Sequence, residues 1–327
     1  ILMFVPIGVA LSIALGFDAM VGFMMITATA GVGFAIGPTN IYTVGVAQGI
    51  LGLPLFSGIG FRLAILPIFT IVTIAYILIY AKKVKNNPEL SVVSGLELDV
   101  DVVDLENPKE FTLRDKLVLL TLVTAFTVAV FGCLKLGWFM VEIGASFTFF
   151  GIVGGLIAGM SPNKIAENYG LGAKKIIAAG ITIGLARSIL VIIDNAQIID
   201  TIIYSLANAI QILPTYLSAW GMYVVQTAIN FFIPSGSGQA VVTVPILGPL
   251  SEMIGSTQQV AVLAYQLGDG FTNRLFPTSA ALMAGLAMAG GIPYDRYVKH
   301  AGWLMLIWFV LGAIAVIVAD MMAIGPF

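Results

Sequence analysis

Two stretches of this chain carry no charged side chain at all: Ala19 to Phe61 and Thr201 to Ser251. A helix that crosses a bilayer needs roughly 20 consecutive apolar residues, so each stretch has room for two. Charge is scarce elsewhere too. Of 327 residues, 59% are hydrophobic and 10% are charged, whereas a soluble domain carries about 25% charged residues. Inside a bilayer every backbone N–H and C=O must be bonded within the protein, which leaves helices or a closed barrel. Long apolar runs without alternation select helices. The expected fold class is therefore an all-α polytopic membrane protein. The net charge of −2 says little about partners in such a chain, and nothing points to nucleic acid. The single cysteine, Cys133, excludes an intrachain disulfide and gives no metal cluster.

Punctuation divides the chain further. Ile1 to Leu15 is apolar but too short to span. Ala19 to Leu51 is long enough, yet "GPTN" (Gly37 to Asn40) breaks it. Ile59 to Tyr80 is a full span. Ala81 to Lys116 holds 14 of the 32 acidic and basic residues, which reads as a solvated linker. Leu117–Lys135, Gly144–Met160 and Ile176–Ile193 read as further spans, and Asp194–Pro214 as a helix lying at the interface. Tyr216–Ile233 runs into "PSGSGQ" (Pro234 to Gln239). Ala240–Ile254 is again short, and Gln258–Gly290 is broken at "GDGFTNRLFPTS" (Gly268 to Ser279). Ala301–Ala319 closes the chain. Lys82, Lys83 and Lys85 place the linker in the cytoplasm by the positive-inside rule. "SPNKIAENYGLGAKK" and "YDRYVKH" then fall inside as well, and "LGLPLFSG" (Leu51 to Gly58) falls outside. His300, beside Lys299 and Arg296, reads as a surface residue at the cytoplasmic edge.

An internal repeat organises these segments. Shifting the chain by 239 residues without gaps superposes Val5-Pro6-Ile7 on Val244-Pro245-Ile246, Leu11-Ser12 on Leu250-Ser251, and Gly16 on Gly255. Val21 falls on Val260, Gly31 on Gly270, Pro38-Thr39 on Pro277-Thr278, Gly52 on Gly291 and Pro54 on Pro293. The glycines and prolines carry the weight, because they mark backbone geometry rather than greasiness. The charge argument gives the two copies opposite orientations, and an inverted repeat with matching broken helices is a signature of secondary transporters. The chain begins at Ile1, inside an apolar run. The repeat leads us to expect a native chain longer by roughly a hundred residues or more, with the partner of "PSGSGQ" just before Ile1.

The polar breaks supply chemistry. A broken membrane helix frees N–H groups that attract carboxylates and carbonyls that, with Ser, Thr and Asn oxygens, suit Na⁺. Three elements qualify. The first is Gly37, Pro38, Thr39 and Asn40. The second is Ser235, Gly236, Ser237, Gly238 and Gln239, between flanks short enough for a re-entrant hairpin. The third is Asp269, Gly270, Thr272, Asn273, Arg274, Pro277, Thr278 and Ser279. Thr39, Asn40, Thr278 and Ser279 are the candidate Na⁺ ligands; Asp269 is the alternative carrier of a coupling H⁺. The bland readings are ordinary kinks for the breaks, an extracellular loop for "SGSGQ", and mutual neutralisation for Asp269 and Arg274. No phosphate-cradling glycine motif, GxSxG or HExxH is present, so ATP-driven transport and common hydrolase chemistry have no support. No cofactor is called for.

Two blocks carry a resemblance: "GPTNIYTVGVAQGILGLPLFSGIGFRL" (Gly37 to Leu63) and "SGSGQAVVTVPILGPLSEMIGSTQQVAVLAYQLGDGFTN" (Ser235 to Asn273). Both resemble the C4-dicarboxylate anaerobic carrier-like family of the ion transporter superfamily, and more closely its branch of basic amino-acid antiporters. The resemblance spans nearly the whole chain. It implies an inverted-repeat fold with two re-entrant hairpins, two broken helices and a separate scaffold, working as a homodimer with an elevator-like transport domain. Ser235 to Gln239 would be the second hairpin tip, and Pro38-Thr39-Asn40 and Asp269 to Ser279 the unwound segments. Two departures stand out: Ile41 follows "PTN" where relatives often have Pro, and the first hairpin tip and first scaffold helices are absent from this chain.

The sequence thus leads us to expect four parts. Residues 1–80 would hold the end of the first repeat, 81–116 a charged cytoplasmic linker, 117–233 scaffold and connecting helices, and 234–327 the second transport half. The expected activity is ion-coupled symport or antiport of a small carboxylate-bearing metabolite, an amino acid before a C4-dicarboxylate, across a bacterial inner membrane. The expected partners are that substrate and the membrane lipids. A channel would call for a ring of like charge, and an intramembrane enzyme for a nucleophile and base; neither pattern is present.

Overall fold

The computed structural model describes residues 2–100, 111–136, 138, 140–198, 201, 204, 205, 208, 210, 213 and 215–325. Among them the regular elements are helices. In chain order these are α1 (Phe4–Ala14), α2 (Ala19–Ile36), a π-helical turn (Ile41–Gly45) running into α3 (Val46–Leu51), and α4 (Ile59–Asn86). A 3-10 turn (Pro88–Leu90) precedes α5 (Leu113–Leu136), α6 (Met140–Ile157), α7 (Pro162–Asn195) and α8 (Thr215–Phe232). The last four are α9 (Gly236–Met253), α10 (Gln258–Thr272), α11 (Ala280–Met288) and α12 (Tyr294–Met321).

Among the described residues, three stretches are long and apolar enough to cross a membrane: Ala19–Leu51, α4 and α12. The outer faces of α4 and α12 expose Ile68, Ile71, Leu78, Trp303, Leu306 and Ile314. Contiguous apolar surface of this kind suits lipid rather than water. The interfacial helix expected at Asp194–Pro214 lies largely outside the described residues.

The chain forms two units, Ile1–Val103 with Ala178–Phe327, and Asp104–Ile177. In the smaller unit α5 packs along α6, and Phe126 meets Phe147 edge-on with centroids 5.1 Å apart. Continuity of α7 differs from the sequence expectation, which made "SPNKIAENYGLGAKK" a loop. A helix of 34 residues is about 51 Å long, well beyond the ~30 Å hydrocarbon core. Its first turns therefore keep exposed Lys164, Glu167 and Lys174 in water without breaking the helix.

The larger unit holds the core, where Met20, Phe23, Leu263 and Trp308 are fully buried. Trp308 donates from its indole N–H to Thr73 Oγ1 at 2.9 Å and lies against Phe271. The spacing of 239 residues is visible here as local geometry. α1 ends at Ala14 and α9 at Met253. Each chain then turns through a left-handed glycine, Gly16 at φ +81° and Gly255 at φ +80°. Asp18 caps α2 by accepting from Val21 N–H, and Thr257 caps α10 by accepting from Val260 N–H. Gly52 and Gly291 are both left-handed. The helices that follow, α4 and α12, each run for 28 residues.

The two turns are also fastened alike, with donor and acceptor exchanged. Asp18 Oδ2 accepts from Tyr80 Oη at 2.5 Å, near the end of α4, and from Ser91 Oγ at 2.6 Å beyond it. Ser256 Oγ donates to Asp320 Oδ1 at 2.5 Å, near the end of α12, and Thr257 Oγ1 donates to the Ile324 carbonyl at 2.5 Å beyond it. His300 is half-buried rather than superficial, its ring 4.0 Å from that of Tyr80.

The segment after α4 departs from a purely solvated linker. Val93 is buried, and Leu96, Leu98 and Val100 pack on the core. Asp99 N–H donates to the Gly290 carbonyl at 3.1 Å. Alternation in "LELDV" explains this: three apolar side chains face the core while Glu97 and Asp99 face water, a period of two that a count of charges conceals. The fastened turns give a first testable outcome. A hydrogen bond to a charged group is worth about 1.5–3 kcal/mol, so Tyr80→Phe and Ser256→Ala should each lower the melting temperature of the detergent-solubilised protein. Because the two turns share no partner, the losses should add.

Candidate functional site

α2 and α10 cross closely because both present small residues. A Cβ on Gly270 would lie 2.4 Å from Ala35 Cα, and one on Gly31 would lie 3.0 Å from Arg274 Cγ. α8 meets α10 in the same way, a Cβ on Gly268 falling 2.9 Å from the Thr227 backbone nitrogen. Crossings this tight leave no room for water between helices, so polar groups held there must bond to one another or wait for a ligand.

The second and third expected elements meet at Asp269, and the π-helical turn that follows the first approaches them through Thr43. Asp269 is fully buried near the end of α10, which continues to Thr272; the break proper is therefore 273–279, shorter than expected. Asp269 Oδ1 accepts from Asn273 Nδ2 at 3.0 Å, while Oδ2 has no hydrogen-bond partner. A Cβ on Gly236 would sit 3.3 Å from that free Oδ2 and 2.8 Å from Thr43 Cγ2. The first turn of α9 thus borders the carboxylate, and the π-helical turn after "GPTN" borders that turn. Thr43 is buried with its hydroxyl unpartnered. A π-turn of this sort commonly marks a functional position.

The residues of each break have distinct tasks. Gly37 accepts from Gln266 Nε2 at 3.1 Å through its carbonyl. Asn40 splints the first break: its Nδ2 donates to the Phe34 carbonyl at 2.9 Å and its Oδ1 accepts from Tyr42 N–H at 3.0 Å. Pro38 and Thr39 form the turn, with Thr39 exposed. Ser235 caps α9, placing Gly236, Ser237, Gly238 and Gln239 in its first turn rather than in a loop. The Gly236 carbonyl accepts from Tyr265 Oη at 2.5 Å. Gln239 Nε2 donates to Gln226 Oε1 at 2.7 Å.

Asn230 of α8 braces the other side. Its Nδ2 donates to the Asp269 carbonyl at 2.9 Å and to Thr272 Oγ1 at 2.6 Å. Thr278 and Ser279 are buried, Thr278 with a free hydroxyl, and Pro277 precedes them in the break. Among the described residues no hydrogen bond joins Thr39 or Asn40 to Thr278 or Ser279, and Asn40 is occupied by the splint.

Asp269 and Arg274 do not neutralise each other: among the described residues the salt bridge within 4.0 Å is Lys164–Glu167. Arg274 instead packs on Gly31, with its own carbonyl accepting from Tyr297 Oη. A second buried cation escaped sequence reasoning. Arg62 is fully buried; its Nε donates to Gln266 Oε1 at 2.8 Å and its Nη1 to the Ser57 carbonyl at 3.0 Å. Thr43, Gln226, Asn230 and Gln266 were also missed. The readable signal was there. Gln226 and Asn230 lie four apart in an apolar helix, hence on one face, and Arg62 is the first charge to end the stretch from Ala19 to Phe61.

Among the described residues, the core of the larger unit thus holds a carboxylate and two guanidiniums that form no ion pair, each with a polar atom left unbonded. The C4-dicarboxylate anaerobic carrier family matches residues 2–321. The chain belongs to that family, and with its apolar helices it is an integral membrane protein of a transporter family. It is similar to a protein of Escherichia coli named "Putative basic amino acid antiporter YfcC", 36% identical over 325 residues, which cover 95% of this chain and 64% of the relative. A Haemophilus influenzae relative, named "Uncharacterized protein", is 32% identical over 317 residues, 94% of this chain and 62% of the relative. The chain thus spans less than two thirds of the length of these relatives. No solved structure matches it.

The tight crossing yields a second testable outcome. Gly270→Ala forces the new methyl against the Ala35 backbone and should destabilise by about 1–3 kcal/mol, the usual cost of overpacking. Gly33→Ala, with no atom within 4 Å of its Cβ, should leave stability unchanged. Thermal unfolding of the two variants in detergent checks the contrast.

Proposed function

We propose that the protein is an ion-coupled secondary transporter or antiporter for a small carboxylate-bearing metabolite, first among them an amino acid. The observation that carries this reading is the buried, half-satisfied Asp269, with the first turn of α9 beside it and the π-helical turn after "GPTN" beside that turn, in a chain of a carrier family. An unpaired carboxylate in the membrane is costly, so it is compensated by a bound cation, a proton or the ammonium group of a substrate. The name of the Escherichia coli relative, an antiporter of basic amino acids, agrees with the last of these.

The mechanism proposed is alternating access by an elevator-type movement. The matched caps and left-handed glycines of α1–α4 and α9–α12 support two related halves, and the placement of Lys82, Lys83, Lys85, Arg296 and Lys299 supports their opposite orientation. On this reading residues 1–80 and 234–327 form the transport domain, 117–233 contribute scaffold, and α1 and α9 are the short limbs of re-entrant hairpins. The protein would work as a homodimer in a bacterial inner membrane. Coupling would use Asp269 as proton carrier, or Na⁺ held by free oxygens such as Thr43 Oγ1 and Asp269 Oδ2. A second reading, a C4-dicarboxylate carrier, is favoured by the balance among the described residues, where two buried arginines stand against one buried aspartate and suit an anion.

Uptake by the full-length protein in proteoliposomes tests the proposal, with amino acids and dicarboxylates supplied under separate Na⁺ and H⁺ gradients and under exchange conditions. Gradient-driven or exchange uptake of at least one carboxylate is expected. Asp269→Asn should cut that uptake to background with the melting temperature little changed. Absence of any uptake, or full activity of Asp269→Asn, would sink the reading.

A further inference from the structure

Unpartnered polar atoms of the core cluster at two levels of α10, and beyond its end Arg274 Nε is a further buried donor without a partner. At the level of Gln266 donors are in excess. The Ser57 carbonyl receives three of them, from Gln48 Nε2 at 2.9 Å, Arg62 Nη1 at 3.0 Å and Gln259 Nε2. A carbonyl oxygen offers two lone pairs, and Gln48 Nε2 also reaches Ser57 Oγ and Gln259 Oε1, each at 3.2 Å; Arg62 Nη2 has no acceptor at all. At the level of Asp269 acceptors are in excess. Asp269 Oδ2, Asn230 Oδ1 and Asn273 Oδ1 are all buried and without a donor, beside the free hydroxyls of Thr43 and Thr278. Gln226 and Gln239 also leave atoms unbonded, but they already bond to each other, and a small rotation satisfies both.

The two levels are close. Asp269 follows Gln266 by three residues, about 4.5 Å along the helix axis and on nearly the same face. Gln266 joins them physically: its Oε1 accepts from Arg62 and its Nε2 donates to the Gly37 carbonyl at the first break. Gln266, which accepts from the buried guanidinium of Arg62, therefore stands one helical turn before Asp269 and its free carboxylate oxygen, with no ion pair between Arg62 and Asp269. Leaving either group uncompensated in a low-dielectric interior is expensive. One small dipolar molecule compensates both.

We propose that Arg62 and Asp269 are the two poles of a site for a zwitterionic α-amino acid, Arg62 Nη2 holding the α-carboxylate and Asp269 Oδ2 the α-ammonium. This rests on the transport reading above and adds to it the orientation of the substrate. Arg62, rather than Arg274, is the carboxylate anchor, because Gln266 links it to the first break, whereas the side chain of Arg274 packs on Gly31. Gln266 acts as a positioning residue, holding the guanidinium plane so that one edge stays free.

Binding of six probes to the full-length protein tests this. They are L-lysine and L-glutamate, their decarboxylated forms cadaverine and 4-aminobutyrate, and their forms lacking the α-amino group, 6-aminohexanoate and glutarate. In the wild-type protein at least one of the two amino acids should bind about 100-fold more tightly than both of its truncated forms, since losing one partner of a buried charge pair costs on this scale. Arg62→Gln should erase the advantage over the decarboxylated form and keep that over the form without the α-amino group. Asp269→Asn should do the reverse, and Arg62→Lys should restore part of the affinity. The wild-type comparison needs no variant to fold. If glutarate binds as tightly as glutamate, or Arg62→Gln weakens all ligands of one series equally, the two-pole site is wrong while the transporter reading stands. Binding of none of the six probes would overturn the site and count against the transport reading together.

Discussion

Asp269 Oδ2 is a carboxylate oxygen held without a donor inside a bundle of membrane helices, and much of the larger unit is arranged around it. Gly236 brings the first turn of α9 to it, Thr43 brings the π-helical turn, and Asn230 and Asn273 fasten its backbone and its other oxygen. None of these approaches is possible with larger residues. Gly270 against Ala35 and Gly268 against Thr227 set the helix spacing that lets three separate chain segments converge. Small residues at helix contacts are how membrane bundles gain close packing when lipid is as apolar as leucine. Here the same device also concentrates polar groups.

The repeat explains which parts of this arrangement are general. Turns at Gly16 and Gly255, caps at Asp18 and Thr257, and left-handed Gly52 and Gly291 recur at a fixed spacing, so the frame is shared by both halves. The fastening of each turn recurs as well, though an acid on the turn in one half answers an acid on the long helix in the other. Charge at the breaks is not shared. Asp269 and Arg274 fall opposite Ala30 and Ala35. On the proposed reading, that exchange of chemistry on a common frame gives the site its polarity, with Arg62 supplied by the first half and Asp269 by the second.

Legibility followed the physics of each feature. The membrane class, the broken helices and the importance of "GDGFTNRLFPTS" were readable because charge-free length and glycine-proline punctuation are local properties. Helix ends were readable where a glycine or a cap marks them, as at Ile59 and Gln258, and not where a helix runs on into water, as α7 does before Ile176. Arg62 and Thr43 were not singled out, because their meaning lies in what faces them across the bundle, which no local pattern encodes. Asn40 was read as a ligand, yet its side chain is used in holding the break together. Ser91 to Val100 was hidden by the opposite effect: a high density of charge masked an apolar alternation that packs on the core.

The convergence of the breaks is tested most directly by a disulfide between Gly236→Cys and Thr43→Cys, made in the full-length protein with Cys133 replaced by serine. With a Gly236 Cβ 2.8 Å from Thr43 Cγ2, the two cysteine Cβ atoms fall near the ~3.8 Å spacing that a disulfide requires. Rapid cross-linking under mild oxidation, with loss of transport that a reductant restores, is the expected result. Failure to cross-link while both single variants remain folded, or cross-linking that leaves transport intact, would contradict the claim that these segments jointly build the transport site.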